Sequence, residues 1–139
     1  MTPFNLKIIT PDKIIFDDVT GNVIVRTTVG DKGILARHEP YVAALPVGKL
    51  RVMDDTGKYR LAAISTGTIR VEEGGDTVIL VRSFEWREKI DVARAESEKE
   101  LAEKQMADPN ISDIEKEMAE LKYKRAVNRL EVVNGDAVE

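Results

Sequence analysis

The chain has 139 residues, 42% hydrophobic and 33% charged, with a net charge of −4 and an isoelectric point near 5.2. An acidic balance disfavours a nucleic-acid or anionic-membrane binder, which needs cationic excess to displace counterions from phosphate. The lack of cysteine rules out disulfides, thiolate metal sites and cysteine nucleophiles. The opening MTPFNLKIIT lacks a basic stretch followed by a long apolar core, and no run reaches bilayer-spanning length, so a soluble, cytoplasmic chain is expected.

Residues 1–84 hold eight of the nine Gly and four of the five Pro, with 11 Lys/Arg against 10 Asp/Glu. Short β-branched runs separated by turn residues give this part an all-β rhythm. Phe4–Ile9 alternates, Thr10-Pro11-Asp12 turns, and a second run starts at Ile14-Ile15-Phe16. Val23–Thr27 follows, with Gly30-Asp31-Lys32-Gly33 read as the turn that closes it. Asp54–Gly57 separates Leu50–Met53 from Tyr59–Ile64, a hairpin of common loop length. Another hairpin is expected at Glu73–Asp76, between Thr68–Val71 and Thr77–Val81. About eight to ten strands in this space predict a two-layer antiparallel sandwich or flattened barrel, which hides strand edges.

Residues 85–139 change character: 25 of 55 are charged, and Ala, Glu and Lys dominate. A first helix is predicted from about Ile90 to Met106, capped by Asp91 and stopped at Asp108-Pro109-Asn110. A second starts at Ser112, whose spacing to Glu115 makes a capping box, and runs to about Val133 before Asn134-Gly135. The short connection makes the pair an antiparallel hairpin. The first helix offers a thin apolar set: Ile90, Ala93, Leu101, Ala102 and Met106. On the second, Ile114, Met118 and Leu121 share one side, while Ala119, Tyr123, Ala126, Leu130 and Val133 lie on another, rotated by more than about 90°. Two faces serve two partners or one partner in two states; drift of a single buried stripe is the plainer alternative.

Catalytic patterns are missing. His38, the only histidine, sits in a loop beside Glu39 with no second histidine, nucleophile elbow or metal-ligand spacing. Gly30–Gly33 lacks the Gly-Lys-Ser/Thr ending of a phosphate loop. The distinctive chemistry lies at the seam, in Phe84–Ala95, where Glu85, Asp91 and Arg94 gather near a helix start. This is either a structural clasp, with an N-cap and a local Asp91–Arg94 ion pair, or a small-anion site. Lys122, Arg125 and Arg129 share one side of the second helix; with Arg94 they either converge on a phosphate chain or form a solvated face.

Four segments carry a family resemblance: Leu6–Asp12, Gly33–Pro40 leading to Ala44-Leu45 and Gly48, Ile90–Ala95, and Lys124–Leu130. Over essentially the whole chain these resemble the epsilon subunit of bacterial F-type ATP synthases. The resemblance implies a β-sandwich at 1–86, a regulatory hairpin at 87–139, and a non-catalytic central-stalk subunit. It implies a sandwich set against the gamma subunit and the c-ring, with Asp31 and His38 at that interface. It implies a hairpin that folds on the sandwich or extends toward the alpha/beta head, restraining ATP hydrolysis. The Ile-Asp-x-x-Arg-Ala motif implies a regulatory ATP site of Glu85, Ile90, Asp91, Arg94, Ala95, Arg125 and Arg129, with a Mg²⁺ requirement left open and no obligatory cofactor. The implied location is the cytoplasmic face of the bacterial plasma membrane, without membrane insertion. The chain departs from the family pattern at Ala36-Arg37-His38, commonly Pro-Gly-His, and at Ser65-Thr66-Gly67, commonly Gly-Gly.

Overall fold

The computed structural model describes residues 2–134. Its strands are β1 (Phe4–Ile9), β2 (Ile14–Thr20), β3 (Val23–Thr27), β4 (Gly30–Ile34), β5 (Tyr41–Leu45), β6 (Gly48–Met53), β7 (Tyr59–Ile64), β8 (Gly67–Val71), β9 (Thr77–Val81) and β10 (Phe84–Trp86). A 3-10 turn, Arg87–Lys89, leads to helices α1 (Val92–Ala107) and α2 (Asp113–Asn134). The expected helix end at Gly135 lies outside the described residues.

Two five-stranded sheets form the sandwich, ordered β2-β1-β9-β8-β5 and β10-β7-β6-β3-β4. Pairing is antiparallel except between β1 and β9, which run parallel. Period-two alternation puts Leu6, Ile8, Ile69, Val71 and Ile79 of one sheet against Val23, Val25, Leu50, Val52 and Ile64 of the other, all essentially sealed from solvent. Both expected hairpin loops, Asp54–Gly57 and Glu73–Asp76, join the strands foreseen.

Gly30–Gly33 is not a turn. It belongs to β4, with Asp31 opposite Arg26 and Lys32 opposite Val25. The reversal falls earlier, at Thr28-Val29, where the Thr27 hydroxyl donates to the Gly30 carbonyl at 2.7 Å. Gly30, at φ +123°, carries the backbone out of that reversal, a conformation closed to other residues. Four turn-forming residues in a row therefore included one turn-exit glycine and three strand residues.

β7 shows why the hairpin has a fixed seat. Alternation turns Ala62 and Ile64 to the sandwich core, yet Leu61, Ala63 and Ser65 are buried too. The outward pair is covered by Ile90 and Val132, with Tyr59 and Val133 alongside. α2 lies against β6, β7 and the 3-10 turn, whereas α1 packs chiefly on α2. The thin apolar set of α1 is thinner still than expected, since Leu101 is 58% exposed and Ala95 and Ala102 are its buried residues. On α2 the face of Ala119 and Ala126 is seated, with Val132 continuing it, while Ile114, Met118 and Leu121 stay exposed. The helix therefore has two faces, and one of them is open in this arrangement.

Candidate functional site

Local chemistry sets the start of each helix. Asp91, in extended conformation, accepts the Arg94 backbone N–H at 3.0 Å and caps α1. Ile90, just before it, is buried against Leu61, Ala63 and Val132, so α1 starts two residues later than expected and Ile90 anchors the linker to the sandwich. At α2, Ser112 Oγ accepts the Glu115 N–H at 3.1 Å while Glu115 accepts the Ser112 N–H at 3.0 Å, completing the capping box. The bond from the Ser112 N–H, followed by that from its hydroxyl, holds the Glu115 carboxyl below its ordinary value.

Of the clasp reading, the N-cap is present and the Asp91–Arg94 ion pair is not found among the described residues: Asp91 Oδ1 meets the Arg94 backbone. Arg94 turns instead one helical turn along α1, where its Nε lies 3.6 Å from Glu98 Oε2. The other carboxylate oxygen of Glu98 accepts Arg129 Nη1 at 3.2 Å, and Arg129 Nε donates to Glu85 Oε1 at 2.5 Å. Arg129 therefore bridges α1 and β10 from α2. Its side chain is about a quarter exposed, against three-quarters for Arg94.

Three further bonds tie the hairpin to the sandwich. Arg125 Nε donates to Ser65 Oγ at 3.1 Å, Asn128 Nδ2 donates to the Gly48 carbonyl at 2.9 Å, and Arg87 Nη2 donates to the Val133 carbonyl at 2.9 Å. The last places a cation at the carbonyl-rich end of α2, where the helix dipole favours positive charge. Asn128 is buried, and its Nδ2 donation to the Gly48 carbonyl pairs a buried donor on α2 with a buried acceptor on β6. Ser65 belongs to one of the stretches that depart from the family pattern, and it provides the Arg125 acceptor.

Between the helices lies a groove of about 240 Å³, walled by Glu98, Leu101, Ala102, Gln105, Lys122, Arg125 and Arg129. Lys122, Arg125 and Arg129 share this wall without Arg94; Arg125 and Arg129 are half-buried and Lys122 is exposed. Lys122 makes no ion pair among the described residues. Glu85 lies under the groove through Arg129, and Arg94 reaches its rim through Glu98. Ile90, Asp91 and Ala95 lie apart from the groove wall and build the helix start: anchor, cap and helix–helix contact. Glu98 and Arg87 were not singled out from the sequence, and Ser65 and Asn128 stood only within stretches compared with the family, with no role of their own. Only Glu98 left a local trace, four residues after Arg94; the others act across chain separations that no pattern encodes.

At the linker's edge, Arg60 stacks 3.6 Å over the Trp86 ring and donates to Glu88 at 3.2 Å. Burial pushes the Glu88 carboxyl up, but a backbone N–H and the Arg60 guanidinium together hold it below its ordinary value. Trp86 also packs edge-on to Phe84 and Phe16, joining β10 to the opposite sheet.

Asp31 lies on β4, the far edge strand of the hairpin-bearing sheet, and His38 lies in the loop from β4 to β5, the edge strand of the other sheet. Asp31 accepts Arg26 Nε at 2.8 Å; His38 Nδ1 donates to the Glu39 carbonyl at 2.7 Å and meets the Tyr41 ring edge-on. Arg37, with φ 63°, adopts the left-handed conformation that the family's usual glycine would take freely.

Two family models cover the chain: the ATP synthase delta/epsilon chain beta-sandwich domain at residues 3–87, and the delta/epsilon chain long alpha-helix domain at 88–134. The ATP synthase epsilon chain of Ruminococcus albus is 42% identical over 96% of this chain and 98% of its own length. That of Caldicellulosiruptor saccharolyticus is 39% identical over 98% of this chain and 100% of its own. A chain of the Euglena gracilis mitochondrial ATP synthase shares the fold, with a TM-score of 0.84 at 24% identity, covering 97% of this chain and 83% of that one. No helix among the described residues is long and apolar enough to cross a membrane.

Proposed function

From the premise that the chain belongs to the ATP synthase delta/epsilon family, as an epsilon-type accessory subunit of the F-type central stalk and not a catalytic one, we propose that its hairpin senses ATP. ATP held in the groove stabilises the folded hairpin, and the extended hairpin reaches toward the alpha/beta head and restrains hydrolysis. The sandwich bears on the gamma subunit and the c-ring, with Asp31 and His38 at that contact. The subunit is peripheral to the membrane, on its cytoplasmic face.

One observation carries this reading: Arg125 and Arg129 line the groove and also bond the sandwich, at Ser65 and Glu85. A ligand gripping those side chains acts on the residues that seat the hairpin, so it favours the folded state by its differential affinity. Guanidinium groups of Arg94, Arg125 and Arg129 suit phosphate oxygens, Glu85 offers an acceptor to ribose or base, and Asp91, whose Oδ1 caps α1, has its second oxygen left to do the same. Ile90 and Ala95 fix where α1 starts and how closely it approaches α2.

The test is calorimetric titration of the chain with ATP, with and without Mg²⁺. Saturable binding that Arg125→Ala or Arg129→Ala weakens at least about tenfold supports sensing; no binding at millimolar ATP sinks it. A purely structural coupling subunit is the second reading, favoured by the fact that Arg125 and Arg129 already have partners in the protein. On that reading ATP leaves the melting temperature unchanged, while deleting residues after Glu88 still raises ATPase activity of the assembled enzyme.

A further inference from the structure

Resting on the nucleotide reading above, we propose that Glu98 is a built-in competitor for the groove: its carboxylate occupies, between Arg94 and Arg129, the place that a polyphosphate takes, and so sets the affinity of the site. The two oxygens divide the work, Oε1 accepting Arg129 Nη1 at 3.2 Å and Oε2 lying 3.6 Å from Arg94 Nε. Among the described residues Glu98 is also the one acid on the groove wall, alongside Lys122, Arg125 and Arg129. A carboxylate and a phosphate each offer a guanidinium a pair of acceptor oxygens, so one displaces the other. The Glu98 side chain is 40% exposed, so it swings into solvent without leaving a buried charge unpaired.

The exchange has a structural consequence. While Glu98 holds Arg129, the arginine is pinned between α1 and Glu85 of β10, and the hairpin is seated without ligand. An incoming polyphosphate must break the Glu98 contacts and then replaces them with its own. The competitor therefore raises the concentration at which ligand acts, while keeping the empty site from repelling its own cations.

Full-length wild type and Glu98→Gln are titrated by calorimetry with ATP and, separately, with inorganic tripolyphosphate, which asks whether the phosphate chain alone is read. Gln keeps helix propensity and size but removes the charge. Glu100→Gln serves as a control, since Glu100 is absent from the groove lining and pairs with Lys104 at 4.0 Å with both side chains well exposed. Expected is about three- to tenfold tighter binding of both anions by Glu98→Gln, the scale of one partly screened ion pair, with Glu100→Gln unchanged. Binding only by Glu98→Gln also supports the proposal. Equal or weaker binding by Glu98→Gln, or equal tightening by Glu100→Gln, overturns the competitor and leaves nucleotide sensing standing. Failure of both proteins to bind either anion overturns both.

Discussion

The sandwich and the hairpin are held by different physics. Among the described residues, fifteen buried hydrophobic ones form the sandwich core, against four at the hairpin seam, Leu61, Ala63, Ile90 and Val132. At about 1.5–3 kcal/mol for each large buried side chain, the first set far outweighs the second. The seam is instead defined by directed bonds from Arg125, Asn128, Arg129 and Arg87. Non-directional burial makes a permanent unit; a few polar bonds, all but that of Asn128 only part-buried, make a reversible one, since water or another partner replaces the part-buried ones at small net cost.

The largest effect should come from the core. Leu50→Ala leaves a cavity between the sheets and is expected to lower stability by about 3–4 kcal/mol, read in urea as loss of the whole chain. If it released the hairpin while the sandwich stayed folded, the contrast between the two regions would be wrong. Asn128→Ala strands the Gly48 carbonyl beneath α2 and should cost about 1–3 kcal/mol. Its signature is regional: faster hydrogen exchange and proteolysis in α1 and α2, with β-strand amides protected as before. Uniform loss of protection would show that hairpin and sandwich open together.

Arg37→Gly sharpens the comparison from the other side. Relief of the left-handed strain should stabilise the sandwich by about 1 kcal/mol, seen as a higher melting temperature with hairpin exchange unchanged. The smallest effect concerns Glu115. Its folded carboxyl titrates below its unfolded value, so the stability it adds is complete above the unfolded value and is lost as pH falls through the folded one. Below about pH 4 the start of α2 should loosen, and Glu115→Gln should flatten that acid limb of a helicity titration. An unchanged limb would place the acid sensitivity elsewhere, at Asp54 or Glu88, whose carboxyls are also held low.

Much was legible from local patterns. Alternation located β1, β3, β6, β8 and β9, and capping chemistry at Asp91 and Ser112 located both helix starts within two residues. The two faces of α2 were readable from spacing, although which one would be covered was not. Where reading failed, one local geometry had displaced another. Gly30–Gly33 looked like a turn but was recruited as an edge strand by β3; Asp91 and Arg94, neighbours in sequence, parted because each found a better geometry elsewhere.

The sequence alone determined a β-sandwich followed by a helical hairpin, because hydrophobic period and cap residues act within a few positions of themselves. It also placed the basic residues on one side of α2. Only the tertiary structure decided what those residues meet: Arg129 finds Glu85 and Glu98, Arg125 finds Ser65, and Asn128 finds Gly48. Hydrogen-bond partners are selected by distance in space within a few ångströms, and separation along the chain carries no record of that distance until the sheets and helices have packed.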